Sequence, residues 1–259
     1  MKLMVNHQTH YRYEQTVKRC TQYIKMIPQS FGHQIVHHWA LSVPGLNQQQ
    51  LDGFGNVWVT NTIHHPHQQF TIMAQGIVEL SESVPYVTDD RIAPLIYLQN
   101  THSTHCNPEM AQFAYMHFPT RCRDGFIELA ERLLEHMPYT PGGTHVGTSA
   151  IEAFQHQKGV CQDHTQVFIA MARQLGYPAR YVSGYLYVED GVHLASHAWA
   201  EVYLEGKWYC FDVSNQMFEP KQHIQLAVGR DYYDVAPVRG VRSQGGLETM
   251  SSIVQVLVC

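Results

Sequence analysis

Lys158-Gly-Val-Cys-Gln-Asp-His-Thr-Gln-Val-Phe-Ile-Ala-Met-Ala-Arg-Gln-Leu-Gly176 reads as a turn that feeds a helix. After Cys161, the apolar residues Val167, Phe168, Met171, Ala172 and Leu175 recur at helical spacing. Gly176 is a natural C-cap and Pro178 prevents continuation. The spacing predicts a helix from Cys161 to Leu175 with the thiol at its N-terminal end. Gly159 gives a flexible lead-in and Val160 suits an extended backbone. Asp163, in the first turn, is expected to cap the helix or to pair with a basic side chain.

Two downstream segments extend this reading. Ala195-Ser-His-Ala-Trp-Ala-Glu-Val-Tyr203 alternates like a strand and carries His197, and Lys207-Trp-Tyr-Cys-Phe-Asp-Val213 is a short strand ending at Asp212. Only a thiolate attacks a carbonyl well. A helix N-terminus favours that anion, a histidine can take the proton, and a carboxylate can fix the imidazole tautomer and stabilise its cation. Cys161, His197 and Asp212 are therefore the candidate nucleophile, base and orienting acid. An isolated cysteine is more often a core residue, and Cys210, in mid-strand, is read that way. His193 is a weaker competitor for the base. Glu201 and Arg180 read as a structural ion pair.

Four motifs in order carry a resemblance. Gly159-Val-Cys161-Gln-Asp163, Gly176-Tyr-Pro-Ala-Arg180, His197-Ala-Trp199-Ala-Glu201 and Phe211-Asp212 resemble the transglutaminase-like superfamily, in particular the bacterial transglutaminase-like cysteine peptidases. His10-Tyr-Arg-Tyr13 and Asp52-Gly-Phe-Gly-Asn56 resemble the leading β domain of that subgroup, and Gly229-Arg-Asp-Tyr-Tyr-Asp-Val-Ala-Pro-Val-Arg-Gly240 resembles its tail. Two positions depart. Asp212-Val-Ser214 stands where Asp-Pro-Thr is common, and His164 stands where an aromatic or apolar residue is common. The resemblance implies an α+β protein: an N-terminal antiparallel β-sandwich-like domain, then a papain-like or transglutaminase-like core with the nucleophile helix packed on an antiparallel sheet. The boundary is expected near residue 90, with 1–90 as the β domain and 91–259 as a helical segment plus catalytic core.

The rest of the chain fits that division. Thr9–Tyr13, Gln34–Leu41, Val57–Thr60 and Gln69–Ala74 are rich in β-branched or aromatic residues, with Gly45, Asp52-Gly53 and Gly55-Asn56 as turns. This segment is expected to shape one wall of a substrate cleft. Asn107 should cap a helix over 108–115, Asp124 one running to His136, and Thr148 or Ser149 a short one to His156. The glycine-rich loop at 141–147 should border the site. Strands are expected over 179–188, 195–204, 207–212 and 249–258 in the second unit, with turns at Asp190-Gly191 and Glu205-Gly206.

Composition narrows the function classes. The 259 residues are 44% hydrophobic and 15% charged, with a formal charge of −5, so a core is possible and no basic run invites nucleic acid or an anionic membrane. No apolar run reaches spanning length, and Met1–His7 lacks the apolar segment of a signal peptide. The six cysteines include no Cys-x-x-Cys pair, which suits reduced thiols and a cytoplasmic setting. The sets His33/His37/His38, His64/His65/His67 and His102/His105/Cys106 lack an established ligand spacing, and no acidic calcium loop occurs. No metal or cofactor is expected.

These residues point to a cysteine-dependent amide or peptide hydrolase acting on a peptide or carboxamide substrate through a thioester. An amine acceptor would make the same site a protein-glutamine transglutaminase, and a non-catalytic binding module on the fold is the reading from another class. The backbone N–H of Cys161 is the first oxyanion donor, with a second sought near Gln155 or Tyr139.

Overall fold

A computed structural model of the chain describes residues 1–81, 83–89, 91–189 and 196–259. The order is β1 (Lys2–Ile24), β2 (Gln34–Ser42), β3 (Leu46–Leu51), β4 (Val57–Ile63), β5 (His67–Leu80), α1 (Pro108–Met116), α2 (Arg123–His136), α3 (Ala150–His156), α4 (Cys161–Gln174), β6 (Ala179–Leu186), β7 (His197–Leu204), β8 (Lys207–Phe211), β9 (His223–Gly229), α5 (Tyr232–Val235), β10 (Val238–Gln244) and β11 (Glu248–Val258). The turn expected at Asp190-Gly191 and the competitor His193 lie outside the described residues.

β1 organises the first unit. Its first half pairs with β5 on one edge and β11 on the other, and its second half with β4 and β10. All pairings are antiparallel. The register shifts at residues 12–17, so the sheet curls back on itself there. Tyr11, Tyr13, Val17, Cys20 and Ile24 of β1 pack inside the curl with Val59, Ile63, Phe70 and Ile72. The alternation of buried and exposed side chains along β1 produces this inner face.

The second unit is a four-stranded antiparallel sheet, β8-β7-β6-β9, with helices on one face. Every residue of α4 from Asp163 to Arg173 is buried. Its Val167, Phe168, Met171 and Ala172 pack with Ala198, Ala200 and Val202 of β7 and with Phe126, Leu129 and Leu133 of α2. The two units share a further core, in which Leu3, Val5, Val254 and Val256 meet Tyr185, Ile224 and Leu226. Arg180, 2% exposed, donates from Nε to Glu201 at 2.8 Å and from Nη1 to Asp89 at 2.8 Å, and lies 4.2 Å over the Trp208 ring. The expected Arg180–Glu201 pair thus also anchors the connection between the units.

Three expectations are corrected. The strand expected at 249–258 in the second unit is β11, and with β10 it completes the first sheet, because its register matches β1 from Leu3↔Val258 to Tyr13↔Glu248. The first sheet therefore draws on both ends of the chain, and a division at residue 90 leaves two of its strands in the wrong unit. The helix expected to start behind Asp124 begins at Arg123 with Cys122 as N-cap, so Asp124 lies inside the first turn, where its charge suits the helix dipole. β1 extends far beyond Thr9–Tyr13; the polar residues His7, Thr9 and Gln22 on its buried face and the register shift between Arg12 and Val17 interrupt the apolar alternation.

Candidate active site

Cys161 is the first residue of α4, as its spacing predicts. The turn before it depends on Asp163, which is 1% exposed and accepts from Val160 N–H at 2.8 Å and from the Thr144 hydroxyl at 2.6 Å. This caps the helix and ties it to the 141–147 loop. Gly159 makes the close approach possible: a Cβ there would lie 2.5 Å from Asp163 Cβ. His164, fully buried, spans Val160 O at 2.9 Å from Nδ1 and Met137 O at 2.6 Å from Nε2. An apolar ring at that position could make neither contact. The first backbone N–H groups of the helix, at Cys161 and Gln162, have no carbonyl one turn earlier to bond.

His197 opens β7 and lines the same cleft as Cys161. Ala200 pairs with Phe211 across β7 and β8, so strand alternation puts Asp212 on the face shared by His197 and Trp199. His197 Nε2 lies 2.7 Å from Asp212 Oδ2. Five donors converge on this fully buried carboxylate. Oδ2 accepts from His197, from His223 Nε2 at 3.0 Å and from Asn215 Nδ2 at 2.9 Å, while Oδ1 accepts from the Ser214 hydroxyl at 2.9 Å and Asn215 N–H at 3.2 Å. The Ser214 that stands in place of threonine therefore still braces the acid.

The electrostatics follow. Burial alone would raise the Asp212 carboxyl, but the His197 charge and the hydrogen bonds from His197 and His223 outweigh it and hold Asp212 far below the usual carboxylate range. Burial alone would lower the His197 imidazole. The Asp212 charge and hydrogen bond, then Cys161, raise it to about 10. The structure therefore brings Cys161, His197 and Asp212 to one place, with a ring that favours its cationic form facing the thiol.

His223 escaped the sequence reading. It opens β9, is fully buried, and packs 4.8 Å from the Trp199 ring. Its strand reads His-Ile-Gln-Leu-Ala-Val-Gly, with Gln225 polar as well, so nothing in its sequence context singles it out. With His197 and Asp212 it offers three ligand atoms within 4.8 Å, a set able to hold a metal ion. Both ring nitrogens of that set are already directed at Asp212 Oδ2, so hydrogen bonding accounts for the cluster. Of the two sites considered for a second oxyanion donor, both are solvent-exposed; Gln155 lies on α3, and Tyr139 forms a bridge to Gly159, with its phenol raised first by burial and then by Cys161. Among the described residues, no helix is long and apolar enough to cross a membrane.

The opposite wall of the cleft comes from β1 and β11, through His7, Thr9, Tyr11, Met250 and Ser252. The first unit thus lines the cleft that holds Cys161 and His197.

Comparison with known proteins agrees with this architecture. Residues 119–213, which hold Cys161, His197 and Asp212, match the transglutaminase-like superfamily, and residues 3–79 match the bacterial transglutaminase-like N-terminal region. An uncharacterised protein of Mycobacterium leprae is 29% identical over 98% of both chains, and one of Mycobacterium tuberculosis is 28% identical over 92% of this chain and 86% of its own. A solved structure from Cytophaga hutchinsonii, described as a candidate cysteine protease, superposes with a TM-score of 0.81 at 20% identity, covering 99% of this chain and 90% of that one. At that identity the likeness concerns the fold. The chain carries a transglutaminase-like superfamily core with the bacterial transglutaminase-like N-terminal region ahead of it.

Proposed function

We propose that the protein is a cysteine-dependent amide or peptide hydrolase. The observation that carries this reading is the 2.7 Å contact of His197 with Asp212, in the cleft where Cys161 begins α4. Cys161 Sγ, as thiolate, bonds to the carbonyl carbon, and the oxygen takes up negative charge beside the free N–H of Cys161. Collapse breaks the C–N bond, His197 gives its proton to the departing nitrogen, and an acyl thioester remains on Cys161. His197, now neutral, takes a proton from water as the water oxygen attacks. The thioester C–S bond then breaks to release the acid and restore the thiolate–imidazolium pair. Asp212 keeps the ring in place and favours its cation.

The test is turnover of peptide and carboxamide libraries by the native protein and by Cys161→Ala, with new acid groups and ammonia measured with and without a primary amine. Acid released by the native protein and none by Cys161→Ala is expected. Amine incorporation in place of acid would make the protein a transglutaminase, and equal turnover in Cys161→Ala would remove the mechanism.

A further inference from the structure

The wall opposite Cys161 carries a hydrogen-bonded system that the reaction above leaves unused. His7 of β1 is 3% exposed. Its Nδ1 lies 2.9 Å from the Tyr185 hydroxyl, and its Nε2 lies 2.9 Å from Ser252 Oγ and 3.0 Å from Thr9 Oγ1. Burial lowers the His7 imidazole to about 4, so the ring is neutral at physiological pH and holds one proton. The Tyr185 phenol is buried, and among the described residues its hydroxyl meets only His7. A buried phenol donates its proton, so Nδ1 accepts and Nε2 carries the hydrogen. That hydrogen goes to Thr9 and Ser252, whose oxygens lie 3.4 Å apart. One of their two hydroxyl protons closes that contact, and the other is left to donate into the cleft.

Beyond Gln162, Ser183, Ser196 and the reacting pair Cys161 and His197, the remaining lining is aromatic or aliphatic. Tyr11, Tyr181, Tyr232 and Met250 face a cavity of about 310 Å³, and among the described residues no Asp, Glu, Lys or Arg lines it. Burial pushes the phenols of Tyr11, Tyr181 and Tyr232 up, so they too stay neutral. A charged side chain packed among these phenols loses water, and the one charged group in the described lining, His197, is already engaged by Asp212 and faces Cys161. The volume is at the small end for ligand pockets, with room for a residue or two rather than a folded partner.

We propose that the cleft selects an uncharged peptidyl donor. Its aromatic or aliphatic side chain, next to the reacting carbonyl, packs among Tyr11, Tyr181, Tyr232 and Met250, while a backbone carbonyl of the donor accepts from Thr9 or Ser252. The proposal rests on the reading of Cys161 as the nucleophile.

The test separates the two. N-acyl chloromethyl ketones of Phe, Leu, Glu and Lys are allowed to alkylate the full chain, and labelling of Cys161 is followed by peptide mapping, each rate divided by that of iodoacetamide. The Phe and Leu reagents are expected to exceed the Glu and Lys reagents by about a hundredfold. Tyr232→Ala should lower the Phe ratio by about tenfold or more. Ser252→Ala, together with Thr9→Val if that variant folds, should lower the ratio for all four. Similar rates for the four reagents, or a preference for Glu or Lys, with Cys161 labelled, would overturn the proposal and leave the nucleophile standing. Failure of every reagent, iodoacetamide included, to label Cys161 would overturn both.

Discussion

Asp212 holds His197 through one oxygen while four other contacts immobilise the carboxylate. Its replacement by asparagine is a strict test, because size and shape persist. In Asp212→Asn the charge that raises His197 disappears, and an amide N–H can be turned toward ring nitrogens that now donate. We expect kcat to fall by about 10³–10⁴-fold with little change in KM, measured on any substrate identified for the native protein. A loss below tenfold would mean that Asp212 only closes the strand. At this scale the sequence was informative where a motif surrounds the residue. Cys161, His197 and Asp212 each sit in such a context. His223 and Asn215 do not: they reach Asp212 only because β9 and the loop after β8 fold back over it.

At the scale of elements, the site depends on how α4 starts. Asp163 reaches back to Val160 N–H across a space that only a glycine at 159 leaves open. Gly159→Ala forces Asp163 away, which uncaps the helix and shifts Cys161 against His197. A loss of about 1–2 kcal/mol in stability is expected from the cap, with a fall in activity of about tenfold or more, since small misplacements of reacting groups are costly. Urea unfolding and initial rates measure the two effects. Unchanged values for both would show that the turn adapts. The helix was legible because its apolar residues repeat every three to four positions, even though all its sides are buried, and because Gly176, at φ +88°, closes it. β3, Leu46–Leu51, was not, because it is exposed throughout and carries no alternation. β10 was hidden for a similar reason, since it is exposed over nearly its whole length and was read only as part of a motif.

Across the whole molecule, buried histidines couple stability to pH. His7 and His33 are buried and lowered to about 4, so the fold holds them neutral. Unfolded, they take protons below about pH 6.5. Their stabilising effect is therefore complete above that pH and is lost as pH falls toward 4, about 2–3 kcal/mol for each at pH 4.5. His197 has the opposite sign: raised to about 10, it stabilises fully below pH 6.5 and the contribution is lost as pH rises through 10. Tm measured from pH 4.5 to 7 should rise, and His7→Gln should flatten that rise. An unchanged slope in the variant would show that His7 is solvated. The membership of β10 and β11 in the first sheet could not be read from their own residues, because register with β1 is a long-range pairing. The partnership of Cys161 with His197 and Asp212 spans far less of the chain, and it was legible only through motifs. That partnership is tested most directly by acid-quenched mass spectrometry of the native protein during turnover of an activated amide or ester. An acyl mass on the peptide containing Cys161, absent in Cys161→Ala and greatly slowed in His197→Ala, is the predicted result. Product formation with no acyl group on Cys161, or with acylation confined to another cysteine, would contradict it.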